Sequence, residues 1–386
     1  MPRNLRASPL YQLVEDHYEA FEGCYDERYQ GKYGFWRPVV KDVFLRYLDC
    51  GCLHGGFARI RCEDCGDEYL LPYSCKCRCF CPSCSQRRAL ELGESLTEEI
   101  IDAQVPIRTS TFTIPKMLRI YFMFDHKLYP RLCQCAFETV KELFQAALGR
   151  EDVVPGMVIG IHTWGSFVNT HPHLHGMLCQ GCYDKEGNFH PLPDAFDEKK
   201  SEKLFMHKVF KMLLVEDKIN ESVIENLMSW HNSGFNVHFS DVLYPDDREN
   251  REKAARYLVR APISLSKMSY KRDEGKVVYG NQGGEKRVFE ALDFLALVSS
   301  HIPDRFENRI LYYGYWSKKS RGLRKKREEE LSAKELTVAE PSLSSRICRR
   351  RWAALIRKIW ETDPLICRAC GGSMKIISFI DDFPVY

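Results

Sequence analysis

The residues best suited to chemistry lie in His171-Pro172-His173-Leu174-His175-Gly176. An extended strand turns alternate side chains to the same face. His173 and His175 are therefore expected to point together, with Leu174 turned into a core. Two imidazoles aimed at one spot can hold a divalent cation. About eighty residues later, a tyrosine sits in the basic stretch Arg256-Tyr257-Leu258-Val259-Arg260. A phenol is a poor nucleophile at neutral pH because its pKa is about 10. It becomes competent against a phosphodiester when a cation draws charge from the non-bridging oxygens. The product is a phosphotyrosine ester, which conserves the bond for later rejoining. A cation pair plus a helical tyrosine can thus cut a nucleic-acid strand and keep hold of one end.

Blander readings compete with this one. A lone histidine is more often a satisfied structural residue than a ligand, and the tyrosine helix alone reads as an ordinary amphipathic helix. The paired histidines shift the balance. Pro172 makes the strand begin near His173 or places it at an edge. The third cation ligand is expected from His162, on the preceding strand, or from His171 if the strand runs back through the proline. Lys253 lies four residues before Tyr257 and Arg260 three after it, so both share its helix face. They are candidates to hold flanking phosphates or favour the phenolate.

These side chains need elements to carry them. Strands are predicted at Ile107–Ile114, which alternates β-branched residues before Pro115, and at Met157–Thr163, His173–Cys179, Phe235–Val242 and Arg309–Trp316. Helical spacing marks Tyr11–Glu22, Pro38–Leu48, Glu91–Asp102, Arg119–Leu148 with a break near Pro130, Lys203–Val215, Val223–Trp230 and Phe289–Ile302. The tyrosine helix starts at Asp246 and Asp247, where acidic groups meet the positive helix end, and Pro262 ends it. A run of cations from Lys318 to Arg327 reads as a linker or exposed arm, followed by a helix at Arg346–Trp360. Trp164, Tyr312, Tyr313 and Trp316 are candidates for base stacking, with core packing expected for at least half of them.

The chain has 386 residues, a net charge of +3 and 17 cysteines. No apolar run approaches the roughly 20 residues of a membrane helix, and no secretory signal is read at the N-terminus. Ten cysteines fall between Cys24 and Cys84. A long chain with an odd count fits metal-bound thiolates better than disulfides. Cys62-x2-Cys65 and Cys81-x2-Cys84, fifteen residues apart, are expected to close round one structural zinc. Cys50, Cys52, His54, Cys75, Cys77 and Cys79 offer material for a second zinc. Lys76, Arg78, Arg87 and Arg88 beside the thiolates suggest contact with DNA phosphates. Cys367-x2-Cys370-Gly-Gly is half a knuckle, and no metal is expected there. No Walker-type loop is present, so a nucleotide-driven motor is not expected.

In combination and order, these segments resemble a known family over nearly the whole chain. They are Ser74-Cys75-Lys76, Phe80-Cys81-Pro82-Ser83-Cys84, Ile161-His162-Thr163-Trp164-Gly165, the histidine strand, the Tyr257 helix, Tyr312-Tyr313-Gly314-Tyr315 and Asp363-Pro364-Leu365. The chain is similar to the rolling-circle transposases of the insertion-sequence 91 group, within the HUH endonuclease superfamily. The resemblance implies an α+β fold: a central antiparallel sheet flanked by helices, the HUH core, with a small N-terminal zinc-binding domain. It implies residues 1–92 as the helical and zinc-binding domain, 93–317 as the catalytic domain, and 318–386 as the basic linker, helix and C-terminal Cys-x-x-Cys segment. It implies magnesium or manganese on His173 and His175, structural zinc, and Tyr257 as the nucleophile. The implied substrates are single-stranded or hairpin DNA at element ends and target DNA, and the implied setting is the bacterial cytoplasm and nucleoid. Some relatives carry a second tyrosine at the position of Lys253, so this chain looks like the single-tyrosine branch. One tyrosine must then act twice, or a homodimer must supply another. A rolling-circle replication initiator or relaxase-like nickase, and a non-catalytic zinc DNA-binding regulator, are the competing expectations.

Overall fold

The structure, a computed structural model, describes residues 5–101, 103–192, 197–333 and 366–381. Its described residues divide into two compact units: those within 5–91, 263–304 and 366–381 form one, and those within 92–262 and 305–333 the other.

The second unit is built on a five-stranded antiparallel sheet. Its order is Ile310–Gly314, Gly156–Trp164, Thr170–Cys179, Ile107–Thr113, Asn236–Phe239. The histidine strand is therefore the central one. Alternation assigns its faces: Phe112, Ile159, Ile161 and Leu174 lie in a core with Phe122, Tyr129, Phe144 and Phe205, supplied by helices Arg119–Phe124, Leu128–Leu148 and Glu198–Val215. Burying one such side chain is worth roughly 1.5–3 kcal/mol. Val158, Met177 and Cys179 take the other face, against Ala255, Leu258 and Trp316. Helices thus flank both faces of an antiparallel sheet in an α+β fold.

Pro172 neither starts the strand nor sits at an edge. The strand begins at Thr170 and runs through the proline. Pairing with Ile107–Thr113 stops at His173, and a register shift between His162 and Trp164 loosens pairing on the other side. The missing N–H of Pro172 therefore falls where the ladder already lapses. The expected helix break near Pro130 falls instead at residues 125–127. Pro130 sits in the first turn of Leu128–Leu148, where no backbone donor is required.

The cationic run after Lys318 is a helix, Lys318–Ala333, and not an arm. Lysine, arginine and glutamate are good helix formers. The Ser320 N–H bonds Ser317 Oγ at 3.2 Å to start it, and Lys325 pairs with Glu329 one turn on at 3.7 Å. The helix expected at 346–360 lies outside the described residues.

The first unit packs helices Pro9–Arg28 and Pro38–Leu48 through Phe21, Tyr25, Trp36 and Phe44. Ser8 caps the first helix, accepting from the Tyr11 N–H at 3.3 Å, and Pro9 fits its first position. Segment 263–304, read from sequence as part of the catalytic block, packs here instead. It forms strands Met268–Lys271, Lys276–Gly280 and Lys286–Glu290 before helix Ala291–Ser299. Tyr29 donates to Asp293 at 2.7 Å, and Arg37 reaches the Ser299 carbonyl at 2.9 Å and the Ile302 carbonyl at 2.8 Å. A second small sheet joins Glu68–Pro72 to Phe57–Cys62 and, on its other side, to Met374–Ile380.

Candidate active site and metal centres

Strand pairing brings three imidazoles together. His173 lies across from His162, and His175 across from Gly160 on one neighbour and Thr111 on the other. One ring nitrogen from each of His162, His173 and His175 falls within 4.8 Å of the others. His171 is not part of this set, although the strand does run back through Pro172. It carries the backbone carbonyl that accepts from His173 Nδ1 at 2.7 Å.

That bond leaves the His173 Nε2 lone pair available. His175 Nδ1 lies 3.3 Å from Thr111 Oγ1, while its Nε2 is buried and has no hydrogen-bond partner. His162 Nε2 donates to the Leu258 carbonyl at 3.3 Å, leaving Nδ1, and its ring stacks on buried Trp164 at 4.5 Å. Each ring is thus oriented by a second bond or a stack, as metal-ligating histidines usually are. Burial holds all three neutral, the form a cation needs: His162 well below its usual pKa, His173 lowered, and His175 down to about 3. Burial also takes His171 down to about 4, helped by the Arg119 guanidinium. The residues fit a divalent ion. Three imidazoles and no carboxylate, among the described residues, suit manganese better than magnesium.

The tyrosine helix, Arg248–Tyr257, is set over this face by its own sequence. Asp247 caps it, accepting from the Asn250 N–H at 3.3 Å. Buried Arg251 donates to the Val105 carbonyl at 2.8 Å, and Ala255 and Leu258 follow on the same buried face. The helix ends at Tyr257, short of Pro262. Residues 258–260 continue in tight turns whose N–H groups bond the carbonyls three residues back. The Leu258 carbonyl rests on Gly160, where an added Cβ would meet the oxygen at 2.4 Å. Glycine at 160 therefore lets the helix end approach the sheet.

This approach puts the Tyr257 ring 4.8 Å from the His175 ring and 5.7 Å from the His162 ring, between centroids. The phenol is 43 % exposed. Arg260, carried round by the turn, donates from Nη1 to the Tyr257 hydroxyl at 3.4 Å. Lys253 is engaged elsewhere, with Glu249 at 2.7 Å. Arg119 was not foreseen. It bonds the Ile114 carbonyl at 3.3 Å and its charge bears on His171 and His173, yet only its place after Pro115 distinguishes it in the sequence. Of the stacking candidates, Trp316 is 1 % and Trp164 8 % exposed, so both belong to the packing. Tyr313 stacks on Phe137, and Tyr312 lies under Arg321.

The cysteines assort differently from the expectation. Cys62 and Cys65 do not join Cys81 and Cys84. One set is Cys50, Cys75, Cys81 and Cys84; the other is Cys62, Cys65, Cys367 and Cys370. Cys52, His54, Cys77 and Cys79 lie outside both sets. The thiol of Cys77 instead donates to the Val43 carbonyl at 3.7 Å. The strand Phe57–Cys62 carries the first pair away from the second and against the C-terminal strand, which spacing along the chain does not reveal. Sulfurs about 2.3 Å from a tetrahedral zinc lie about 3.8 Å apart. In the first set the separations are 3.9 Å for Cys50–Cys81, 3.9 Å for Cys50–Cys84 and 3.6 Å for Cys75–Cys84.

Two family models match the chain. One, described as a putative transposase, covers residues 156–324. The other, described as a transposase zinc-binding domain, covers residues 20–114. A curated relative, the transposase for insertion sequence element IS801 of Pseudomonas savastanoi pv. phaseolicola, is 23 % identical over 381 residues, covering 91 % of this chain and 87 % of the relative. No solved structure matches significantly. A zinc-binding module ahead of a transposase segment, along one chain, defines the class as a DNA transposase. Together these matches support a transposase of the insertion-sequence 91 type. No helix among the described residues is long and apolar enough to cross a membrane.

Proposed function

We propose that this transposase cuts and rejoins single-stranded DNA through a covalent 5′-phosphotyrosine. The carrying observation is the tyrosine ring seated 4.8 Å from a ligand-set imidazole, with an arginine on its hydroxyl. His162, His173 and His175 would hold manganese or magnesium. When bound, the ion supplies charge neutralisation at the non-bridging oxygens of the scissile phosphate. The chain does the rest. Arg260 donates to the Tyr257 oxygen and orients it. The phenolate oxygen forms the new bond to phosphorus as the bond to the 3′ oxygen breaks. The phenol proton passes to solvent water at the exposed hydroxyl, and the leaving oxygen takes one from water and departs as a 3′ hydroxyl. The ester on Tyr257 is later reversed by attack of another 3′ hydroxyl, which rejoins the strand. The zinc module and the cationic helix at 318–333 supply binding to phosphates at the element end, single-stranded or as a hairpin.

The test is mass spectrometry of the protein after incubation with labelled single-stranded oligonucleotides from both ends of the element and manganese. A DNA adduct on Tyr257, attached through the 5′ phosphate and absent from Tyr257→Phe, is expected. No adduct from the parent protein would leave a zinc-dependent DNA-binding regulator. Nicking and closure at one site without transfer to an unrelated target would favour a replication initiator.

A further inference from the structure

The C-terminal Cys-x-x-Cys has no complete metal site near it in sequence. Folding supplies one. Cys62 lies 3.5 Å from Cys370, and Cys65 lies 3.6 Å from Cys367, sulfur to sulfur. All four sulfurs fall within 4.8 Å of one another. These separations approach the roughly 3.8 Å edge of a zinc–thiolate tetrahedron.

The two halves of the set repeat one another. Each is Cys-x-x-Cys-Gly, at residues 62–66 and 367–371. Gly66 and Gly371 both adopt φ of 76°, a left-handed conformation that favours glycine. Each sulfur accepts a backbone N–H from two residues on. The Ala369 N–H bonds Cys367 at 3.4 Å and the Gly372 N–H bonds Cys370 at 3.4 Å. The Asp64 N–H bonds Cys62 and the Asp67 N–H bonds Cys65 in the same way. The same turn geometry therefore presents a backbone donor to a sulfur in both halves. A strand leaves each knuckle, Glu68–Pro72 from one and Met374–Ile380 from the other, and both flank Phe57–Cys62. The apolar core beneath is small: Ile60, Cys62, Cys367 and Met374, with Tyr69 and Leu71 against it. So small a core commonly depends on a metal for its stability.

We infer that Cys62, Cys65, Cys367 and Cys370 form a second structural zinc site, which fastens the C-terminal segment to the N-terminal zinc module. Two of its ligands lie far outside residues 20–114, the matched zinc-binding segment. The first site, Cys50, Cys75, Cys81 and Cys84, is complete within that segment. The two sets share no ligand, and with four thiolates each neither has a position left for a substrate.

Metal content of the purified full-length protein tests this directly. Two zinc ions per chain are expected, one for each four-cysteine set. Cys62→Ser with Cys65→Ser, and Cys367→Ser with Cys370→Ser, should each remove one ion, and combining all four should remove no more. One ion in the parent protein, or two retained after Cys367→Ser with Cys370→Ser, would overturn the site. Because those variants can misfold, a second measurement uses the unaltered protein. Cys65 and Cys370 are exposed, so bare thiols there would alkylate quickly. Peptide mapping should find all four cysteines protected in the zinc-loaded protein and released together by a chelator. Rapid alkylation of Cys370 without chelator sinks the proposal.

Discussion

The donor set decides which ion the histidine site prefers. Three neutral imidazoles offer nitrogen alone, so manganese, the softer ion, should support DNA adduct formation at lower concentration than magnesium. Equal potency of the two ions in a titration of adduct yield would argue for an unseen carboxylate ligand. The same burial gives a pH signature. His175, lowered to about 3 from 6.5, and His171, lowered to about 4 from 6.5, are neutral in the fold where the unfolded chain would be protonated. Stability is therefore fully present above about pH 6.5 and is lost as pH falls toward those lower values. Thermal melts between pH 7.5 and 4 should show the parent losing more of its stability than His171→Gln; parallel curves would mean His171 titrates normally. Arg260 donates to the Tyr257 hydroxyl at 3.4 Å. Arg260→Gln should lower the rate of adduct formation by roughly 10²-fold, the scale of losing one oriented donor, with little change in DNA affinity. An affinity loss at unchanged rate would reassign it to phosphate binding.

The elements explain why part of the site was legible in advance. A period-2 strand fixes His173 and His175 on one face without reference to the rest of the chain, and Leu174 is wholly buried as alternation requires. His162 was reachable because the two strands are close in sequence and pair directly. The end of the tyrosine helix was not legible: Pro262 pointed to a later stop, and the tight turns at 258–260 follow from how Leu258 meets Gly160. That meeting is testable. Gly160→Ala places a methyl against a backbone oxygen, not a flexible side chain. A loss of about 1–3 kcal/mol in urea unfolding is expected, the usual range for overpacking. Adduct formation should fall further than stability predicts, because the helix end carries both Leu258 and Tyr257. Full adduct yield in Gly160→Ala would show that the close approach is dispensable.

Across the whole molecule, the sequence was least informative where distant segments meet. Neighbouring Cys-x-x-Cys pairs look like one site, and only the pairing of Phe57–Cys62 with Met374–Ile380 sorts them otherwise. Segment 263–304 likewise sits with the first unit through contacts such as Tyr29–Asp293, between residues 264 apart in sequence. The proposed chemistry has a consequence for transposition. Position 253 is lysine, paired with Glu249, and Tyr257 is the tyrosine beside the imidazoles. Under the proposed chemistry, cutting the element end esterifies that tyrosine. The 3′ hydroxyl that would release it must come from a second cut at the target, and a blocked phenol cannot make that cut. Two copies of the chain are then needed at once, each supplying one Tyr257. Mixing the parent with excess Tyr257→Phe, both at saturating DNA, separates the cases. Cutting at one end should fall in proportion to the parent's fraction, whereas joined product should fall as its square. Joined product that tracks the fraction linearly would mean one tyrosine is released and used again, and would remove the need for a second copy.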